Sequence, residues 1–240
     1  RLGKNESTPV GYVVLAGLDR LMQTAPNKIK QLPESVLQSA ICFHYANQTT
    51  HHDQWFDKLL ADIAISAPAL NGFWRGLIDN DAQMLPGLRS ILAGQEHAEL
   101  ARKVLLPVLI HWKNCKLKTF KELIFAALRY ADRDELLQST RDLVNDPDGI
   151  KDETRRLYWL ATAFLLSPEE FAQHLSNHIG REKQKVLPLL DFMMKVSAPD
   201  ANTGIEFSPM MVAQLLRIIA PIFPPQEHSY GPVSYTHLTL

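Results

Sequence analysis

The chain has 240 residues, enough to bury a sizeable core in one or two compact domains or in an elongated stack. Its 46% hydrophobic and 21% charged content is that of an ordinary globular protein, and a net charge of −1 argues against a dominant nucleic-acid footprint while leaving room for a local basic patch. Two cysteines, Cys42 and Cys115, exclude a disulfide framework and fit a reducing, cytoplasmic setting, and the longest apolar runs fall well short of the roughly 20 residues of a membrane helix.

Val10, Val13, Val14, Gly17, Leu18 and Leu21 follow a 3.6-residue period and predict a first helix over Pro9–Met22. Val10–Leu18 is too short to span a membrane, and no small-residue cleavage site of a signal peptide follows it. Ala25–Leu32, with Pro26 and Asn27, reads as a loop. Pro33-Glu34-Ser35 opens a second helix that carries Val36, Leu37, Ala40, Ile41, Phe43 and His44. Asn47–Thr50 is polar punctuation. His51–Ser66 reads as one strongly amphipathic helix with Trp55, Phe56, Leu59, Leu60, Ile63 and Ala64 on one face. A corner of small residues ends it, and Pro68 starts the next helix, through Leu70, Phe73, Trp74, Leu77 and Ile78. Met84–Ala93 is a short helix stopped by Gly94. Gln95–Trp112 is a longer one, in which Pro107 predicts a kink or break.

Thr119 and Glu122 have the spacing of a capping box ahead of the stripe Phe120, Leu123, Ile124, Ala127, Leu128 and Ala131. Asp132 and Glu135 form the next box, before Leu136, Leu137, Thr140, Leu143 and Val144. Asn145-Asp146-Pro147-Asp148-Gly149 is a strong turn. Asp152–Ile179 is the clearest stretch. Leu157, Leu160, Ala161, Phe164 and Leu165 line one helix face. Ser167-Pro168-Glu169-Glu170 is a corner in which Ser167 caps, Pro168 takes the first helical position and Glu170 completes a box. Phe171, Leu175 and Ile179 follow, and Gly180 stops the helix. Glu182–Val196 is a helix with a kink expected at Pro188, Ser197–Glu206 a loop, and Ser208-Pro209 the start of a last helix reaching Phe223.

No segment alternates with a period of two, so the expected fold class is all-α, with about eleven or twelve helices. Helix pairs recur over 118–145, 151–179 and 182–222. That interval predicts an irregular α-solenoid of stacked helical hairpins, HEAT- or armadillo-like, since tetratricopeptide and ankyrin signatures are missing. Residues 1–222 form the repeat region, with a possible sub-boundary near 114–118. Residues 223–232 read as a Pro-rich linker. Residues 233–240 look like one reading frame of a sequencing-library adapter and are set aside from fold reasoning. The chain starts at Arg1 in mid-flow and is read as a piece of a longer protein.

No nucleophile elbow, Walker A loop or dinucleotide-binding glycine turn is present, so neither a catalytic residue nor a cofactor is assigned. Glu170, His174 and His178 stack along one side of a helix at four-residue spacing, as metal ligands would, but no fourth ligand is identifiable; the competing reading is a solvated strip beside the core face. His51, His52 and Asp53 sit at a helix start, where Asp53 is also explained by capping. His111 and Cys115 lie four apart near a helix end, with His97 before them, and read more simply as a helix-terminal histidine and a buried thiol. Cys42 and His44 point to different sides of their helix. Arg155, Arg156, Arg181, Lys183 and Lys185 are candidates for a basic edge that binds phosphate or acidic peptide; a solvated face is the plainer reading. Trp55, Trp74, Trp112 and Trp159 read as inter-helix core, and an exposed one would mark a contact hot spot.

The run Ala126-Ala127-Leu128-Arg129-Tyr130-Ala131-Asp132-Arg133-Asp134-Glu135-Leu136-Leu137 and the run from Arg156-Leu157-Tyr158-Trp159 to Ser167-Pro168-Glu169 resemble the helical-repeat region of large bacterial NACHT-type, STAND-class NTPases. The resemblance covers roughly 53–192. It implies an NTPase domain N-terminal of the repeats, repeats that recognise a trigger, ATP-dependent assembly, and a setting in antiphage defence. No family catalytic residue is carried over, because the NTPase motifs are absent here. The expected function is therefore a non-catalytic scaffold or sensor segment that binds a protein partner. The alternatives are a small metal-dependent enzyme using the histidines and a helical-repeat nucleic-acid binder.

Overall fold

The computed structural model describes residues 9–47, 54–93, 95–146 and 149–223. Their secondary structure is entirely helical: α1 (Pro9–Thr24), α2 (Glu34–Ala46), α3 (Gln54–Ala61), α4 (Ile63–Asp79), α5 (Leu88–Ala93), α6 (Ala98–His111), α7 (Leu117–Tyr130), α8 (Arg133–Asn145), α9 (Glu153–Leu166), α10 (Pro168–Ile179), α11 (Lys183–Ser197) and α12 (Pro209–Ile219). Three short 3-10 turns, at Pro26–Gln31, Gln95–His97 and Pro199–Ala201, complete the set. The fold class is all-α, as the absence of period-two alternation predicted. His51, His52, Asp53, Gly94, Pro147, Asp148 and the whole of 224–240 lie outside the described residues.

The apolar stripes decide the packing. In α9, Leu157, Leu160, Ala161, Phe164 and Leu165 are buried; in α10, Phe171, Leu175 and Ile179 are. Each such large side chain contributes about 1.5–3 kcal/mol on burial. The two stripes face each other across the corner at Ser167 and close a hairpin. Helices two apart in the chain also pack, in two interrupted rows: among the odd-numbered helices α1 on α3, then α7 on α9 and α9 on α11; among the even-numbered ones α2 on α4 and α4 on α6, then α10 on α12. The main contacts thus join helices one or two apart in chain order, and one continuous core runs through the stack, including 114–118, where α6 packs on α7.

Several boundaries follow from the capping chemistry. The Asp132 carboxylate accepts from the backbone N–H groups of Asp134 and Glu135, Asp152 from that of Arg155, and the Ser208 hydroxyl from that of Met211. Gly180 ends α10 with φ 56° and ψ −123°. The Glu182 N–H donates to the Ile179 carbonyl across it at 3.1 Å, so Gly180 holds the first central position of a type II′ turn, where a glycine is needed.

Other expectations give way. Residues 54–79 break at Asp62, not at the small-residue corner before Pro68. Asp62 is extended (φ −84°, ψ 91°), and the Ser66 hydroxyl reaches back to the Leu60 carbonyl at 3.0 Å. Pro68 then sits near the start of α4, where its missing N–H deprives only the Ala64 carbonyl. Ala64 is accordingly exposed and not on the core face with Trp55. Pro107 does not break α6: Asn71 Nδ2 donates, at 3.4 Å, to the Lys103 carbonyl that Pro107 cannot serve. α11 runs through Pro188, as the helix expected over 182–196 does. The expected loop at 25–32 winds into a 3-10 turn that buries Ile29, and the expected loop after Ser197 contains another. Met84 is exposed and α5 starts only at Leu88; α12 ends at Ile219, short of Phe223.

Two capping boxes are not formed. α7 starts at Leu117, two residues before Thr119, because the Arg155 guanidinium holds the Cys115 carbonyl and Phe120 N–H bonds to Lys116. At Ser167 the side chain caps nothing: its backbone N–H already bonds to the Ala163 carbonyl at 2.8 Å, and its hydroxyl turns to the Glu170 carboxylate at 3.4 Å.

Candidate docking groove

Glu170 is an ion-pair residue. Arg141, on α8, grips it in a two-pronged pair, Nε to Oε1 at 2.7 Å and Nη2 to Oε2 at 2.9 Å, tying α8 to α10. The hydrogen bond from Arg141 holds the Glu170 carboxyl below its ordinary range. One turn on, His174 lies against the Phe171 ring. His178 is turned toward the start of α9: its Nε2–H donates to the Glu153 carbonyl at 3.2 Å, and its Nδ1 lies 3.5 Å from the Glu153 carboxylate. Lys185 reaches that same carboxylate at 3.5 Å, pairs with Glu182 at 2.8 Å and donates to the His178 carbonyl. Burial first, then the Lys185 charge, push the His178 pKa below its usual value. The three candidate ligands are thus divided among three different structural ties. No group of three or more His, Cys, Asp or Glu placed to hold a metal ion occurs among the described residues.

The five basic candidates do not form one edge either. Arg155 points into the α6–α7 connection, over the Phe120 ring at 4.8 Å and beside the Cys115 thiol at 3.6 Å. Arg156 turns the other way, to the Val144 carbonyl at 3.1 Å. Lys183 sits 5.5 Å over the Phe223 ring, Lys185 is neutralised as above, and Arg181 is exposed. Adjacent positions on a helix diverge by about 100°, which is why Arg155 and Arg156 serve different neighbours. His111 closes α6 while Cys115 lies beyond it, buried. Burial pushes the thiol of Cys115 up and that of Cys42 up to about 11, which argues against either as a nucleophile. His44 stacks on Phe56 at 3.7 Å, away from Cys42, whose thiol donates to the Ala69 carbonyl. All four tryptophans are buried, so none is an exposed hot spot.

The structure instead gathers a site on the odd-numbered row. A groove of about 560 Å³ is lined by α5, α7, α9 and α11. Phe125 and Ala126 of α7, Tyr158 of α9 and Phe192 of α11 give it apolar walls, with Tyr158 and Phe192 edge to face at 5.2 Å. Five cations surround them: Arg89, Lys118, Lys121, Arg129 and Lys195, against two carboxylates, Glu122 and Asp191. Lys195 pairs with Asp191 at 2.8 Å. Lys121 stands 4.7 Å over the Tyr158 ring and Arg129 5.1 Å over that of Tyr130. The end of α7 is pinned to α6 by Arg102, whose Nε donates to the Tyr130 carbonyl at 3.3 Å. Cavities of similar size beside Trp159 and between α1, α2 and α4 lack this concentration of charge.

Sequence reasoning missed the groove. One signal was available: Lys118, Lys121, Phe125 and Arg129 recur at the spacing of a single helix stripe, turned away from the core stripe Phe120, Leu123, Ile124 and Ala127. No family model, curated protein or solved structure matches the chain.

Proposed function

We propose that this chain is a non-catalytic interaction scaffold, an irregular HEAT-like stack of helical hairpins whose odd-numbered row receives a protein partner at the α5–α7–α9–α11 groove. The single observation that carries this reading is the groove itself: an amphipathic channel crossing four helices, in the size range of about 300–1,000 Å³ typical of ligand sites, with apolar walls and a charged rim. Local stacking of hairpins supports it, since such stacks present extended surfaces built from successive repeats. The resemblance of 126–137 and 156–169 to the repeats of STAND-class NTPases supports a sensor segment of a larger bacterial protein, with trigger recognition in the repeats and any ATP chemistry elsewhere. The metal-enzyme alternative lacks a ligand set among the described residues.

Selection from a display library of unbiased peptide composition tests the scaffold reading. Selected peptides should lose binding when Ala126→Arg fills the groove. Failure to select any peptide that this change displaces would contradict it. The reading frame upstream of Arg1 tests the STAND assignment separately: a Walker A loop supports it, and a start codon close to Arg1 with no NTPase before it defeats it.

A further inference from the structure

We infer that the groove's occupant is an acidic peptide segment carrying an apolar side chain, donated by the partner protein; this rests on the scaffold reading above. The argument is charge complementarity. Arg89, Lys118, Lys121 and Arg129 have no ion pair among the described residues, whereas Lys195 is already paired with Asp191. The surplus is local, because the whole chain carries a net charge of −1. With Lys195 offset by Asp191 and one further cation by Glu122, the lining keeps a net surplus of three positive charges, which raises the potential there and favours carboxylates as the ligand's charged groups. Arg89 and Lys118 are exposed, so a ligand reaches them without unfolding anything.

The walls set the second requirement. Phe125, half-buried, is the wall that an apolar ligand side chain can reach between the cations, while Ala126, Tyr158 and Phe192 lie behind it as buried backing. Tyr130, 8% exposed in the same lining, has a phenol oxygen with no hydrogen-bond partner among the described residues. That oxygen is sealed from solvent, so the cations and the apolar wall, and not Tyr130, carry the recognition. Nucleic acid satisfies the cations but not the walls. Base stacking needs an open ring face, and here Tyr158 and Phe192 are 2% and 6% exposed, with Lys121 over the Tyr158 ring.

Fluorescence anisotropy on the full chain tests this. The probe is a fluorescein-labelled peptide of glutamates flanking two leucines, compared with the same peptide with lysines for glutamates, with serines for leucines, and with an oligothymidylate. The glutamate–leucine peptide should bind best. Lys118→Glu with Arg129→Glu should weaken it by about tenfold or more and steepen no other probe's loss, while Arg181→Glu, off the groove, leaves it unchanged. If the doubly reversed chain fails to fold by circular dichroism, Lys118→Gln with Arg129→Gln replaces it, with a several-fold loss expected. Equal binding of the lysine peptide, preference for the oligothymidylate, no binding of the acidic probe, or indifference to both double variants overturns the inference. Neutral peptides selected from the unbiased library and displaced by Ala126→Arg would leave the scaffold reading standing while this one falls.

Discussion

Replacing Trp74 separates packing from hydrogen bonding in the segment that delivers Arg89 to the groove. Trp74 is 0% exposed, and its indole N–H donates to the Pro86 carbonyl at 2.9 Å. From the other side, Trp112 donates to the Ala82 carbonyl at 3.2 Å, so two indoles hold the α4–α5 connection at both ends. Trp74→Phe keeps an aromatic ring in the core and removes only the donor and part of the volume. Pro86 is half-buried and water can partly replace the lost partner, which puts the hydrogen-bond loss near 1 kcal/mol. The cavity left by the smaller ring adds about 1 kcal/mol. Trp74→Ala forfeits the whole side chain, about 3–5 kcal/mol. For a chain of this size, each kcal/mol lowers the melting temperature by about 2–4 °C. Thermal melts followed by far-UV circular dichroism should therefore drop by about 4–8 °C for Trp74→Phe and about 6–20 °C for Trp74→Ala, with faster amide exchange at Leu88 and Ile91 in both. A Trp74→Phe melt within about 1 °C of the parent would refute the hydrogen-bond argument, and equal losses for the two variants would refute the division between packing and bonding.

Gly180→Ala should cost about 1–3 kcal/mol in urea unfolding, purely from the backbone, since no atom lies nearer than 4.0 Å to the added methyl; an unchanged midpoint would rule out the turn drawn at that corner. His178 gives a pH dependence of definite sign. Its native pKa lies below the ordinary value, so the unfolded chain takes up the proton more readily. Stability should be full above about pH 6.5 and decline as the pH falls through that value toward the lower native one. His178→Gln should flatten this decline in urea midpoints measured across the range, and a slope of opposite sign in the parent would contradict the burial of the ring. Iodoacetamide at about pH 8 should alkylate Cys42 at least about a hundredfold more slowly in the native chain than in urea, because a pKa of about 11 leaves about a thousandth of the thiol ionised; equal rates would contradict its burial.

The sequence made the hairpins legible wherever a boundary is set by local chemistry. Asp132, Ser208-Pro209 and Gly180 each act through bonds to residues within four positions, and each lies at the helix end expected of it. It misled where a distant residue decides. The start of α7 is fixed by Arg155 from 40 positions away, and Glu170 is taken by Arg141 from 29 away, leaving the Ser167 corner without its box. At Pro107 a break is avoided for a related reason: the Lys103 carbonyl that the proline orphans finds Asn71 on the neighbouring helix. The groove was illegible for the same kind of cause. Its lining runs from Arg89 to Lys195, and the 3.6-residue period tells which face of each helix is apolar but not which helices share a row.

Hydrogen–deuterium exchange of the full chain, with and without a peptide selected from the unbiased library, tests the central claim most directly. Ligand protection should fall on α7 and α11 where they line the groove, over 118–130 and 191–195, and should be absent from the outer faces of α8 and α10. Protection confined to α8, α10 or α12, with 118–130 unchanged, would contradict it.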